Sequence, residues 1–320
     1  MTSFRLGSSG EEVVRIQRRL KELSFYTGAL DGRFGGGTEA AVKTFQTREG
    51  LEPDGIVGPA TFRALLAEDM PAAPSIMSES LVLRSLTLTG TFETSTPPPA
   101  CFSCVTGDFD RQGISFGALQ WNFGQGSLQP ILERMLRNHR EMMEMTFHEH
   151  LPRLEAALQG GKEAALTFAR SIQEPIRHRV LEPWVGMFQA LGRTRECQQI
   201  QGEMATNRHE EAKRLAQRYG LGSQRAASLM FDILVQNGSI SDNVRQRLLA
   251  DFAALPQGLA PDDLEVRKMR IIANRRAEVA KPRFVEDVRS RKLCIANGEG
   301  TVHAIRFHLA EQFGIGLEAF

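Results

Sequence analysis

The sequence predicts a mainly α protein in two parts. A three-helix domain is expected over residues 1–69, and a larger, predominantly helical domain with at most a small sheet over 80–320. Three observations carry this. Apolar residues recur at helical spacing through the first seventy positions. Two stretches there, DGRFGGGTEAAVKTF and DGIVGPATFRAL, repeat the same turn-then-helix pattern. Residues 70–79 then set two prolines among small residues, as a short linker does. A chain of 320 residues is long enough for one small and one medium domain, each burying its own core.

Taken in order, Val13, Ile16, Leu20 and Leu23 define a first amphipathic helix over 12–23. It follows the turn Gly7-Ser8-Ser9-Gly10, and Glu11 and Glu12 favour its N-terminus. Asp31-Gly32-Arg33-Phe34-Gly35 marks a tight turn. Thr38 is expected to cap a second helix with Ala41, Val42 and Phe45 on its inner face. Asp54-Gly55-Ile56-Val57-Gly58 repeats the turn, and Thr61, Phe62, Leu65 and Leu66 begin a third helix. Beyond the linker, Leu81, Val82, Leu86, Leu88 and Phe92 predict a helix over 80–93, followed by a loop-rich stretch over 94–117. A Gly-rich turn from Trp121 to Leu128 precedes a helix predicted to run through Met145, and Trp121 reads as core. Arg225 to Gln236 reads as a helix stopped by Gly238. Its residues Arg225, Ser228, Asp232 and Gln236 read either as a solvated stripe or as polar groups set into an apolar run. The Gly-rich segment 295–303 reads as a loop lining a cleft.

Composition narrows the function. Lys plus Arg number 39 against 38 Asp plus Glu, and no block of five like charges occurs, which argues against a nucleic-acid partner. No apolar run has the length of a membrane span. Met-Thr-Ser-Phe-Arg-Leu-Gly lacks the apolar core of a signal peptide. Four cysteines are too few for a disulfide scaffold. Cys101 and Cys104 read first as unpaired loop thiols, then as a local disulfide, and last as a zinc site, which needs two further ligands. The i, i+2 histidines of His148-Glu149-His150 point to different sides of a helix, so no metal is expected there, and no cofactor is called for.

The chemistry-bearing residues cluster over 88–124. Glu93 closes an apolar helix, which is expected to set its carboxyl at the core edge, where desolvation favours the protonated form a general acid needs. Asp108 and Asp110 lie across a loop among Gly and polar residues, a wetter setting that keeps a carboxylate ionised. Such a pair is what glycoside cleavage requires, and the 17 residues from Glu93 to Asp110 suffice to fold a turn back across a cleft. Asp108, Gln120 and Asn122 are the expected substrate contacts; Gln120 and Asn122 can bond sugar hydroxyls, although a strand's polar edge looks the same.

The N-terminal part resembles the three-helix peptidoglycan-binding domain of wall hydrolases. The match runs through Gln17, Leu20, Asp31-Gly32, Phe34-Gly35, Thr38, Ala41-Val42, Phe45-Gln46, Leu51, Asp54-Gly55, Gly58 and Thr61. The resemblance implies bacterial peptidoglycan as the partner and Tyr26, Asp31 and Arg33 as glycan contacts. The second part resembles the lysozyme-like hydrolases, a two-lobed α+β class, and in particular the family 46 chitosanases. Asp110-Arg111-Gln112-Gly113-Ile114-Ser115-Phe116-Gly117 runs beside that family's D-G-R-G-Y-T-A-G-like turn. Arg111 stands where the family has Gly, and Gln112 where it has Arg. The resemblance implies Glu93 as general acid, Asp110 rather than Asp108 as base, and Ser115 at the water-orienting position. It also implies a charge network in which Asp232 is joined by arginines drawn from Arg275, Arg276, Arg289 and Arg291. Gly117-Ala118-Leu119-Gln120 is similar to the G-x-x-Q strand of goose-type lysozymes and lytic transglycosylases.

The expected activity is glycan cleavage in peptidoglycan, muramidase-like and inverting. A lytic transglycosylase, a chitosanase and a non-catalytic wall-binding protein are the alternatives. Without a signal peptide, the expectation is a monomer made in the cytoplasm and carried to the wall by a phage holin pore or a secretion machine.

Overall fold

The computed structural model describes residues 3–8, 11–68 and 75–320. Residues 9 and 10 of the expected first turn and residues 70–74 of the expected linker lie outside the described residues; Ser75–Ser78 form a single 3-10 turn. Helices dominate, as the sequence predicts. The early ones are α1 Glu11–Glu22, α2 Gly36–Arg48, α3 Pro59–Leu66 and α4 Leu81–Thr94. Next come α5 Gln129–Asn138, α6 Arg140–Phe147, α7 Leu151–Gln159, α8 Gly161–Ser171, α9 Trp184–Arg193 and α10 Arg195–Arg218. The last are α11 Gln224–Asn237, α12 Asp242–Ala253, α13 Pro261–Glu278, α14 Val285–Asn297 and α15 Leu309–Gln312. Residues 1–84 with 212–320 form one compact unit and residues 85–211 another.

In the first unit, α1 to α3 enclose a core of Val13, Ile16, Leu20, Phe34, Ala41, Val42, Phe45, Val57, Phe62 and Leu65. The internal repeat is also a repeat of hydrogen bonds. Gln17 is fully buried; its Oε1 accepts from Gly32 N–H, and its Nε2 donates to Asp31 Oδ1, Arg33 C=O and Thr38 Oγ1. Gln46 does the same in the second half, accepting from Gly55 N–H and donating to Asp54 Oδ1, Ile56 C=O and Thr61 Oγ1. Gly32 and Gly55 both sit at positive φ, 69° and 78°, which is why each turn needs Asp-Gly. Thr38 is therefore not the cap of α2. Gly35 holds that position, and Thr38 is buried one turn on, receiving Gln17.

In the same unit, α11 is buried along ten consecutive residues and begins at Ser223, whose side chain accepts from Ala226 N–H. Segment 295–303 is not a loop: residues 295–297 end α14, and residues 299–303 enter a hairpin. Strand β4, Glu299–Val302, pairs antiparallel with β5, Ile305–His308, through a turn in which His303 and Ala304 both have positive φ.

The second unit holds a three-stranded antiparallel sheet of β1 Val105–Thr106, β2 Ser115–Phe116 and β3 Trp121–Asn122. The register pairs Thr106 with Ser115 and Ser115 with Asn122, so these three share one face. Val105, Phe116 and Trp121 share the other. Phe116 packs on Phe188, which meets Phe147, and Trp121 is buried as the sequence suggests. The helix expected to run through Met145 breaks at His139, whose φ of −138° and ψ of 47° end α5 and start α6.

Candidate active site

Helix α4 and the 105–122 sheet are brought together by a close approach. A Cβ at Gly90 would lie 2.7 Å from the Ala118 Cβ, so only glycine lets the helix rest on the turn between β2 and β3. Glu93 follows Gly90 by three residues, a neighbouring position on the helix surface. Contrary to the sequence expectation, Glu93 is exposed rather than set into the core edge, whereas Thr91 and Phe92 just before it are buried.

The two aspartates differ sharply. Asp108, only 7% exposed, is not in the wet setting the sequence suggests. Its Oδ1 accepts from Gly113 N–H at 3.0 Å, closing the 107–113 loop, and its own N–H donates to Gln173 Oε1 at 2.9 Å. Asp110 is exposed at the tip of the hairpin, one carboxylate oxygen accepting from Gln112 N–H at 3.1 Å. Arg111 follows at φ 66°, a left-handed backbone that suits glycine, the residue the chitosanase-like turn carries there. Ser115 is half-buried between Thr106 and Asn122.

Gln120 and Asn122 serve the sheet. Gln120 Oε1 accepts from Thr106 Oγ1 at 2.7 Å and its Nε2 donates to Gly117 C=O. Asn122 is buried, its Oδ1 accepting from Gln125 N–H and its N–H donating to Ser127 Oγ. Both side chains thus support the turn and the strands. Two supports went unread in the sequence. Gln201 on α10 is fully buried; it accepts from Ala118 N–H and donates to Phe102 C=O. Gln173 is the other, through Asp108. Both act across 65 to 99 residues, and neither stands in a motif that marks it.

All four cysteines carry free thiols. Burial pushes Cys101 up to about 12, and likewise Cys197 and Cys294; it also raises Cys104. None of these is a thiolate near neutrality, so they do not supply a nucleophile.

In the first unit, the solvated-stripe reading of α11 fails. Asp232 is fully buried and receives Arg291 Nη2 and Lys292 Nζ, each at 2.6 Å. Burial alone would raise the Asp232 pKa and is the largest influence on it, but the two cations together hold it below the usual carboxylate range. Lys292 also donates to Gln236, whose Nε2 reaches Asp287. The network thus contains Asp232 and Arg291, as the resemblance implies, with Lys292 as the second cation. The other arginines go elsewhere. Arg276 donates to Asn237 C=O, Arg275 pairs with Asp251 and Glu278, and Arg289 pairs with Glu286.

Of the three expected glycan contacts, two help to build the module. Asp31 accepts from Gln17 and from Arg33 N–H, which lowers its pKa, and the Tyr26 hydroxyl donates to Ala29 C=O from a half-buried ring. Arg33 is held by its backbone and exposes its side chain. Among the described residues, no group of three or more His, Cys, Asp or Glu is placed to hold a metal ion, and no helix is long and apolar enough to cross a membrane.

Residues 9–65 match the family described as "Putative peptidoglycan binding domain", so the three-helix part is a module of that kind. The chain is 48% identical over 60 residues to the spore cortex-lytic enzyme of Bacillus cereus, covering 19% of this chain and 23% of the relative. It is 48% identical over 56 residues to the N-acetylmuramoyl-L-alanine amidase CwlM of Mycobacterium tuberculosis, covering 18% and 14%. The chain therefore spans less than a quarter of the length of either relative. A crystal structure of native chitosanase from Bacillus subtilis MY002 aligns at 14% identity over 71% of this chain and 90% of that one, with a TM-score of 0.44.

Proposed function

We propose that this protein is a peptidoglycan hydrolase, in which residues 1–69 hold the wall and residues 80–320 cut its glycan backbone. The match of residues 9–65 to a peptidoglycan-binding family supports the substrate. The relatives named for cortex lysis and for amidase activity fit the same setting. The observation that carries the chemistry is the contrast between the two loop aspartates. Asp108 is buried and bound into its own turn, whereas Asp110 stands exposed on a hairpin that is fixed at its base.

In this reading Glu93 is the general acid and protonates the leaving glycosidic oxygen. Asp110 is the general base and takes a proton from water attacking the opposite face of the sugar, with Ser115 orienting that water. Attack by water on the face opposite the leaving group inverts the anomeric centre. Asp108, Gln120 and Asn122 hold the loop and strands that present these groups, and the Asp232, Arg291 and Lys292 cluster is a structural element of the fold.

The test is product chemistry. Purified sacculi digested by the full chain are expected to release muropeptides with new reducing ends of inverted configuration. Products ending in 1,6-anhydro sugars would replace this reading with a lytic transglycosylase. Cleavage of soluble chitosan with none of sacculi would make the protein a chitosanase, and no release from either would leave a non-catalytic wall binder.

A further inference from the structure

We infer that the Phe109 ring, steadied by His178, is the face on which a sugar ring of the glycan stacks beside Asp110. The inference rests on the hydrolase reading above and adds to it a substrate-positioning residue.

Phe109 is 72% exposed, yet the chain on either side of it is fixed. Gly107 and Asp108 are buried, Asp108 is bonded to Gln173 and Gly113, and Phe109 N–H donates to Gly107 C=O at 3.0 Å. The ring is therefore presented from a rigid base and is not the loose end of a mobile loop. Beside it lies the 173–180 hairpin, closed by the bridge between Gln173 and Val180 and by the bond from His178 N–H to Glu174 C=O. A Cβ at Gly107 would fall 1.4 Å from the His178 carbonyl oxygen, so the two hairpins meet backbone to backbone and only glycine permits it. His178 itself sits at φ 51°, and its imidazole meets Phe109 edge to face, with centroids 5.8 Å apart and planes at 69°. The Nδ1 atom of that imidazole is buried and has no hydrogen-bond partner, so the ring is placed here by packing and by its strained backbone.

The Phe109 ring remains largely open to water, and the two residues that follow it in the chain, Asp110 and Arg111, are exposed as well. A pyranose ring has the matching chemistry. One face carries axial C–H groups that lie flat on an aromatic ring, and its rim carries hydroxyls and amides that bond to charged neighbours. The competing occupant for an exposed apolar tip is a lipid surface, which the 90%-exposed Ile176 on the adjacent hairpin also suits.

The experiment compares Phe109→Ala and Phe109→Trp in the full chain, and needs turnover for only one of its two readouts. Titration of peptide-free glycan strands into Phe109→Trp is expected to shift the new indole emission to the blue and protect it from acrylamide. On sacculi, Phe109→Ala is expected to raise KM about tenfold with kcat kept within about twofold, and Phe109→Trp to keep the parent KM. Both variants should melt at the parent temperature, because the ring they replace is largely outside the core. The inference is overturned by an emission unchanged by glycan, by a shift with phospholipid vesicles in place of glycan, or by an unaltered KM in Phe109→Ala. Its fate is separable from that of the hydrolase reading. If Glu93→Gln and Asp110→Asn remain fully active while glycan still shifts the Phe109→Trp emission, the acid and base assignments fall and the stacking face stands.

Discussion

The aspartate turns of the N-terminal module and the hairpin at 105–122 look alike in the sequence and do opposite things. Asp31 and Asp54 each precede a glycine and direct a carboxylate inward to a buried glutamine, so both are part of the scaffold. Asp108 is the same kind of residue, bonded to Gly113 N–H within its own loop. Asp110, two residues on, is exposed at the tip of that loop. All of these aspartates bond locally, Asp110 to Gln112 N–H as Asp31 does to Arg33 N–H, but Asp31 and Asp54 also receive a buried glutamine and Asp108 is itself buried, whereas Asp110 is exposed with only the local bond described. Of the three residues expected to meet glycan, Asp31 and Arg33 are exposed and Tyr26 is half-buried.

Six substitutions test that division between scaffold and site, in descending order of effect. Asp232→Asn leaves the buried cations Arg291 and Lys292 without their counter-charge and is expected to cost about 3–5 kcal/mol, a large part of the stability of a folded domain. The sign of the pH dependence follows from the same pair. The pKa of Asp232 is lower in the folded chain than in the unfolded one, so its contribution is complete above about pH 4 and is lost as pH falls below that. Melting temperature measured from pH 7 to pH 2.5 should fall less steeply in Asp232→Asn than in the parent, and parallel curves would contradict the assignment.

Gln17→Ala and Gln46→Ala each strip a buried Gly N–H of its acceptor, and each should cost about 1–3 kcal/mol in urea titration. Equal losses are expected, because the two glutamines make the same four kinds of bond. A difference of more than about 1 kcal/mol would show that the repeat is one of sequence and not of energetics. Asp108→Ala should lose about 1–3 kcal/mol, whereas Asp110→Asn should leave stability within about 0.5 kcal/mol. A reversed ranking would remove the basis for preferring Asp110 as the functional residue. The smallest effect is expected of Arg111→Gly. Relief of a left-handed backbone, about 1–2 kcal/mol, exceeds the unfolded-state entropy of glycine, about 0.4–1 kcal/mol, so a small rise in melting temperature should result.

Much of the scaffold was legible. Helical spacing located α1 to α4 and α11, the repeat announced the module, and Asp232 with Arg291 was within reach of a resemblance. What escaped depended on tertiary placement. Lys292 reads as a surface residue, although Val288, Arg291, Lys292 and Ile295 share one helical face and all are buried, a pattern that marks a cation drawn into the core. Glu93 was expected at the core edge because its neighbours are apolar, but the helix turns Phe92 inward and Glu93 out. The break at His139 carries no proline or glycine to announce it. Gln173 and Gln201, which steady the hairpin, join segments 65 and 83 residues apart, a distance over which no local pattern operates.

The central claim is that Glu93 and Asp110 act as a pair across the glycan. It is tested most directly by turnover of purified sacculi with Glu93→Gln, Asp110→Asn and Asp108→Asn, each at a temperature where all remain folded. The account predicts that the first two each lose at least about a hundredfold in kcat while Asp108→Asn keeps most of its rate. Full activity in Glu93→Gln, or loss in Asp108→Asn with none in Asp110→Asn, would contradict it.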